Sequence, residues 1–135
     1  MIVVDTNVIA YLWLPGTFTP KAEALLQADP EWAAPLLWRS EFRNVLSGLL
    51  RRGEADLETA IRLAEASEQH MSGREFSVGP ADVLERVAAS RCSAYDCEFV
   101  VLAQELGVAL VTTDRQVLGS FPQTAISLSR AVARG

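Results

Sequence analysis

The segment IVVDTN, residues 2–7, joins a short apolar run to a polar end. Three consecutive apolar residues, from Ile2 to Val4, are typical of a strand that is buried on both faces. The polar residues that follow can cap the next helix, which the sequence predicts over residues 8–14, before Pro15 and Gly16. A buried strand followed at once by a helix indicates an α/β fold.

The rest of the chain repeats this alternation. Further strands are predicted at residues 32–34, 75–78, 108–112 and 124–128. Further helices are predicted at residues 19–28, from Pro35 to Arg52, around 57–64, at 80–89 and at 93–106, the last with Tyr95 and Phe99 facing inward. The pattern predicts an α/β fold with a central, mostly parallel sheet of about four or five strands and helices on both faces. The 135 residues contain no repeat or linker, so we expect a single domain over residues 1–135.

The composition limits the classes of function. Half of the residues are apolar, and the formal net charge of −5 argues against a protein that holds nucleic acid through a general positive field. Cys92 and Cys97 are too few for a zinc site and are expected to be free thiols. No signal peptide and no apolar stretch of membrane-spanning length is visible, so we expect a cytoplasmic protein without a membrane partner.

Four acidic residues occupy unusual positions. Asp5 follows the first predicted strand, and Asp114 follows the strand at 108–112 after one residue. Because sites in open α/β sheets form beyond the carboxyl ends of the strands, these two can share one rim. At about 100° per residue, Glu41 and Asp96 fall at the borders of the apolar faces of their helices. The sequence therefore predicts that all four carboxylates converge.

Each acid also has an ordinary explanation. Asp5 can cap a helix, Asp96 fits a capping box, Asp114 fits a turn, and Glu41 can pair with a neighbouring arginine. The four together are harder to explain, because two carboxylates about 5 Å apart repel by roughly 3 kcal/mol at an effective dielectric near 20. A divalent cation removes this repulsion, and oxygen ligands favour Mg²⁺ or Mn²⁺ over Zn²⁺.

Other catalytic systems are poorly supported. His70, the only histidine, lies in a polar stretch near a helix end and is expected to be exposed to solvent. A nucleophile activated by histidine therefore cannot be assembled, and no glycine-rich loop of phosphate-binding spacing is present. Water activated by a metal ion is the remaining chemistry.

Several motifs occur in a recognisable order. The segment DTN at 5–7, Glu41 in the third helix, YDCEF at 95–99 and TTD at 112–114 together resemble a PIN domain, most closely the bacterial VapC-type toxins of type II toxin–antitoxin modules. The most specific part is SAYD at 93–96, which runs into EFVVLA at 98–103. The resemblance covers essentially the whole chain and implies an Mg²⁺- or Mn²⁺-dependent endoribonuclease.

The resemblance also implies roles for individual residues. Asp5 and Asp96 would be the direct metal ligands, and Glu41 and Asp114 would complete the acidic pocket. All four are therefore catalytic candidates. Thr112 matches the hydroxyl that such domains place at this strand end, and we expect it to contact substrate.

Substrate and partners follow from the same comparison. Arg39, Arg43, Arg51 and Arg52 lie on or beside the Glu41 helix, and most of this group is expected to form surface ion pairs. Arg115, directly after Asp114, is the nearest candidate for contact with an RNA phosphate. The resemblance implies a homodimer and a cognate antitoxin protein. Trp13 and Trp38 are candidates for apolar dimer contacts, or for the core.

Three alternatives stay open beside the toxin. The chain could be a PIN-domain nuclease of RNA maturation, or a non-catalytic binding domain whose acids are caps and ion pairs. A phosphate-receiving regulator on a similar sheet would need a late lysine, and the only lysine is Lys21.

Overall fold

The computed structural model describes residues 1–134, which form five strands and eight helices. In chain order they are β1 (Ile2–Val4), α1 (Thr6–Trp13), α2 (Thr19–Ala28), β2 (Trp32–Pro35), α3 (Leu37–Arg51), α4 (Leu57–Met71), β3 (Glu75–Phe76), α5 (Pro80–Ala88), α6 (Ala94–Leu106), β4 (Leu110–Thr112), α7 (Arg115–Ser120), β5 (Ala125–Ser127) and α8 (Leu128–Arg134).

The five strands form one sheet in the order β3-β2-β1-β4-β5, and every neighbouring pair is parallel. The predicted α/β fold with a parallel sheet flanked by helices is therefore confirmed. The strand β1 lies at the centre, where Val3 pairs with Ala33 of β2 and with Leu110 of β4. The carboxyl ends of β1 and β4 consequently lie side by side.

Apolar side chains on the central strands and on α6 form the middle of the core. Val3 and Val4 are completely buried, and residues 99–103 of α6 are all at most 3% exposed. Because α6 contacts β1, β2 and β4, it is apolar around most of its circumference rather than along one stripe. Burial of each such valine or leucine stabilises the fold by about 1.5–3 kcal/mol, so the strand ends are held firmly.

The strands predicted at 75–78, 108–112 and 124–128 are shorter than predicted, and the predicted boundary at Pro35 was wrong. Pro35 was expected to begin a helix, but it ends β2 and pairs with Phe76, and α3 begins at Leu37. The amide of Ala34 donates to the carbonyl of Arg74, just before β3, and the amide of Leu36 donates to the carbonyl of Phe76 on β3. Position 35 lies between these two donors, so a proline without an N–H fits there without loss of a bond to β3.

His70 is also placed differently from the prediction. It is half-buried rather than exposed, and its ring packs edge-on against Trp13 and Trp32, at centroid distances of 6.1 and 6.2 Å. Burial lowers the pKa of His70, and the nearby charge of Arg74 lowers it further. The single histidine is thus a packing residue between α1, β2 and α4.

The two candidate contact tryptophans differ in burial. Trp38 is completely buried, and its indole N–H donates to Glu75 Oε2 at 2.7 Å, so it belongs to the core. Trp13 is half-buried. Both cysteines are buried free thiols, as predicted. Within residues 1–134, the helices are too short or too polar for any of them to cross a membrane.

Candidate active site

The structure places the four predicted acids around one cavity of about 530 Å³. Asp5 follows β1, and Asp114 is separated from the end of β4 by one residue. Glu41 projects from α3, and Asp96 lies in the first turn of α6. The cavity therefore lies beyond the carboxyl ends of adjacent parallel strands, as such sites generally do. The other lining residues are Thr6, Asn7, Leu37, Ser40, Asn44, Val45 and Tyr95.

The side chain of Asp5 is held by a hydrogen bond from the neighbouring strand, β4. It stands at the N-cap position of α1, but its side chain makes no capping hydrogen bond. Instead, the Thr112 hydroxyl donates to Asp5 Oδ2 at 2.7 Å and accepts from the Asp114 amide at 3.0 Å. Thr112 is completely buried. The prediction that Thr112 contacts substrate therefore needs correction, because its hydroxyl is occupied inside the protein and positions two acidic residues.

Glu41 is held in a similar way. The hydroxyl of Thr6, which is almost completely buried at the start of α1, donates to Glu41 Oε1 at 2.7 Å. This bond ties α3 to the start of α1 and leaves Glu41 Oε2 without a bond to residues 1–134. Two buried threonines thus orient the two most enclosed carboxylates.

The arginines near Glu41 pair elsewhere. Arg39 contacts Glu75 at 2.6 Å and Arg43 contacts Glu68 at 3.0 Å. Arg52 pairs with its near neighbour Glu54. Across residues 1–134, none of the four acids of the cavity takes part in an ion pair. The alternative that an arginine neutralises Glu41 is therefore wrong, whereas the prediction of surface ion pairs is confirmed for Arg39, Arg43 and Arg52.

The ordinary explanations hold in part for Asp96 and Asp114. The Asp96 amide donates to Ser93 Oγ at 3.0 Å, as expected for a helix cap. Asp114 Oδ1 accepts from the amides of Gln116 and Val117 at 2.8 and 3.0 Å, so it caps α7. Capping uses only one oxygen of Asp114, and its other oxygen stays available to the cavity.

Burial and mutual repulsion perturb three of the acids. Burial raises the pKa of Asp5, and the nearby charge of Asp96 adds to the rise, while the Thr112 hydrogen bond opposes it. Burial likewise raises the pKa of Glu41, against the Thr6 hydrogen bond and together with the charges of Asp5, Asp96 and Glu98. Burial and the charge of Asp114 raise the pKa of Asp96. The cavity therefore favours a proton or a cation.

Sequence reasoning missed two residues near the acids. Glu98 repels Glu41, and burial raises its own pKa. Tyr95 was expected to face inward but is 62% exposed and lines the cavity. The first turn of α6 borders the cavity rather than the core, and Cys97 takes the buried position there. The spacing of apolar residues cannot show where a helix leaves the core.

Arg115 lies beside the cavity rather than in it. It is the first residue of α7, is exposed, and is not among the lining residues. It forms no ion pair with residues 1–134. Its predicted contact with RNA stays a prediction.

The donor chemistry of the cavity fits a hard divalent cation. All four acidic side chains offer oxygen ligands, and no basic side chain among residues 1–134 neutralises them. In the described part of the chain, however, no three His, Cys, Asp or Glu side chains are close enough to hold an ion as they stand. The carboxylates would therefore have to turn toward an ion as it binds.

Comparison with known proteins gives a consistent result. The family model described as "PIN domain" matches residues 2–125. The chain is 30% identical over 128 residues to Ribonuclease VapC3 of Pyrobaculum aerophilum, covering 90% of this chain and 95% of that protein. A crystal structure of a P. aerophilum protein is similar with a TM-score of 0.78 at 22% identity, covering 98% and 94% of the two chains. A toxin–antitoxin complex from Klebsiella pneumoniae is similar with a TM-score of 0.66 at 19% identity, covering 95% and 98%.

Proposed function

Because the chain belongs to the PIN domain family, we propose that it is a metal-dependent endoribonuclease and the toxin of a toxin–antitoxin pair. The observation that carries this proposal is the cavity lined by four carboxylates, none of which pairs with a basic residue within residues 1–134. The likeness over most of the chain to a protein named as a VapC ribonuclease supports the choice of RNA as substrate.

Asp5 and Asp96 would hold Mg²⁺ or Mn²⁺, and Glu41 and Asp114 would complete the pocket. Such an ion, when bound, withdraws charge from a phosphate and lowers the pKa of water. The protein contributes orientation, since the buried Thr112 hydroxyl fixes Asp5. Because Asp5 is already held, only the other carboxylates would have to turn when an ion binds.

Glu41 is the best candidate to accept a proton from the attacking water. Thr6 holds its Oε1, so its Oε2 is available to the cavity. Burial raises the pKa of Glu41 above that of an ordinary glutamate, and a carboxylate becomes a stronger base as its pKa rises. Position and basicity thus favour the same residue.

The proposed partners are RNA, a cognate antitoxin protein and a second copy of this chain. The Klebsiella structure is a toxin–antitoxin complex, which supports a protein partner for a related fold. Arg115, exposed beside Asp114, is proposed to contact an RNA phosphate. Loss of one such contact should lower RNA affinity and flatten its dependence on salt, so a salt titration of Arg115→Ala tests this role.

The central test uses purified protein and total RNA with Mg²⁺, Mn²⁺ or a chelator, followed by sequencing of the new RNA ends. We expect metal-dependent cleavage by the wild type and a loss of about 100-fold or more in Asp5→Asn and Asp96→Asn. Glu105→Gln, an exposed change on the same helix as Asp96, is the matched control and should cleave normally. Wild-type rates in Asp5→Asn and Asp96→Asn would reject the assignment.

Two further measurements separate the alternatives. A non-catalytic binding domain would release no heat with Mn²⁺ in calorimetry. Growth arrest on expression, relieved by a small co-expressed protein encoded beside the toxin, distinguishes a toxin from a nuclease of RNA maturation.

A further inference from the structure

A second cavity, of about 350 Å³, lies between the end of α1 and the start of α2. It shares Asn7 and Val45 with the carboxylate cavity, so the two are neighbouring parts of one cleft. No Asp, Glu, Lys or Arg is among the described residues that line this second cavity. An uncharged cavity thus adjoins a strongly acidic one.

Two aromatic rings form one wall of the second cavity. The rings of Tyr11 and Phe18 lie 4.8 Å apart between centroids, with a tilt of 33°. Phe18 is 41% exposed, so part of its ring stays free to contact a ligand beside Tyr11. The Tyr11 hydroxyl lies 3.1 Å from Thr113 Oγ1, between Thr112 and Asp114. The aromatic wall is therefore tied to the strand end that carries an acid.

The turn that carries Phe18 is held by its own hydrogen bonds. The Thr19 hydroxyl lies 2.7 Å from the Tyr11 carbonyl oxygen and 3.1 Å from that of Leu14. It also accepts from the Gly16 amide at 3.0 Å. Because these bonds exist before anything binds, little ordering is needed when a ligand enters.

We propose that the second cavity, which we call the Tyr11–Phe18 subsite, stacks an unpaired nucleobase of the RNA next to the scissile phosphate. This inference rests on the proposed function, because it places the base beside the carboxylates. Every base has a π-face, so an exposed aromatic ring binds RNA bases without regard to sequence. The uncharged lining suits a base rather than a phosphate, and the exposed amide of Asn7 lies at the junction, within reach of a base edge.

The charge of the protein near the two cavities favours such a contact. The chain has a net charge of −5, and no Lys or Arg is among the described residues that line either cavity. Release of counterions within this cleft can therefore supply only a small part of the affinity for RNA. Stacking is less sensitive to charge, and one stacked base is worth roughly 5- to 150-fold in affinity.

The test couples a protein change to a substrate change. Cleavage kinetics are measured on an oligoribonucleotide with one mapped site, and on versions in which single positions near that site are abasic. We expect Phe18→Leu, which keeps apolar bulk but removes the ring, to lower kcat/KM roughly 5- to 150-fold. One abasic position should lower the kcat/KM of the wild type by a similar factor, but should lower the kcat/KM of Phe18→Leu little further.

The controls separate stacking from folding. Phe18→Trp keeps an aromatic face, so one abasic position should lower its kcat/KM by about the same factor as it lowers that of the wild type. Leu57→Ala changes an exposed apolar residue outside both cavities and should have no effect. Thermal melts check that each variant folds. As a binding measurement, 2-aminopurine at the sensitive position should be quenched by Asp5→Asn protein, but not by the Asp5→Asn, Phe18→Leu double variant.

The outcomes distinguish this inference from the proposed function. If the wild type cleaves RNA but Phe18→Leu has the same kinetics and the same abasic profile, the subsite does not bind a base. The same conclusion follows if Phe18→Leu weakens only the binding of a partner protein. If no RNA is cleaved, the proposed function is rejected. Independently of cleavage, equal quenching of 2-aminopurine by Asp5→Asn and by the Asp5→Asn, Phe18→Leu double variant would reject the subsite.

Discussion

Thr112 shows how one buried hydroxyl can set the chemistry of a carboxylate. It donates to Asp5 Oδ2 and receives the Asp114 amide, so it joins two acids across adjacent strands. Its hydrogen bond is the main influence that lowers the pKa of Asp5 against the effect of burial. A change at Thr112 should therefore alter catalysis without touching substrate.

We predict that Thr112→Val raises the pKa of Asp5 further, because it removes the donor to the ionised carboxylate. The acidic limb of the pH–rate profile should move to higher pH, and cleavage near neutral pH should fall by roughly 10- to 100-fold. Thr112→Ser keeps the hydroxyl and serves as the control. Superimposable profiles for Thr112→Val and the wild type would contradict a positioning role.

The sequence predicted which acids converge but not how they are held. Asp5 and Asp114 are identifiable because each follows an apolar run, and the ends of parallel strands share a rim. The direction of the Thr112 hydroxyl depends on the pairing of β1 with β4, which a single sequence does not specify. The repulsion between Glu98 and Glu41 likewise depends on the placement of α6 against α3.

At the scale of elements, Asp114 has a structural role as the cap of α7, in addition to its proposed catalytic role. Its Oδ1 caps the helix through two amides. A change at Asp114 can therefore reduce activity through lost charge or through a loosened helix, and suitable variants separate the two effects.

We predict that Asp114→Asn keeps stability within about 0.5 kcal/mol, because asparagine caps helices as well as aspartate does. Asp114→Ala should lose about 0.5–2 kcal/mol in urea unfolding. Both variants should lose RNA cleavage if the charge is required. Asp56, whose Oδ1 caps α4 through the Thr59 amide at 2.8 Å, is the matched control. Asp56→Ala should lose similar stability with normal cleavage, and normal cleavage by Asp114→Asn would remove Asp114 from the site.

The elements themselves were predictable where apolar periodicity was long. The helices α3 and α6 were found because 15 and 13 residues give several turns of pattern. The helices α7 and α8 were not predicted, since six and seven residues give fewer than two clear turns. The start of α3 was misplaced because proline favours the first turn of a helix, and only the bonds to β3 show why Pro35 fits a strand end.

At the scale of the whole molecule, charge is distributed unevenly. Arg39 and Arg43 neutralise acids on α4 and β3, while the cavity acids receive no arginine from residues 1–134. Repulsion among these unpaired carboxylates thus lowers the stability of the fold. Functional sites commonly carry such strain, and changes that relieve it often raise stability.

The cavity should consequently make the metal-free protein less stable as pH rises. Asp5, Glu41 and Asp96 have raised pKa values, so above the ordinary values of 3.8 for Asp and 4.5 for Glu the folded state holds more protons than the unfolded state. Stability therefore falls as pH rises through this window. The lowered pKa of His70 acts in the opposite direction, so variants must be compared with the wild type at each pH.

We predict that Asp5→Asn raises the melting temperature of the metal-free protein at about pH 7.5, because a neutral amide replaces a buried, repelled charge. In the wild type, Mn²⁺ at a hundred times its Kd should add about 2.7 kcal/mol of stability, with a smaller gain near pH 5, where protons compete with the ion. Asp5→Asn should lose most of that gain, whereas Glu105→Gln should keep it. A less stable Asp5→Asn protein with an undiminished response to Mn²⁺ would mean that the carboxylates are satisfied without a cation.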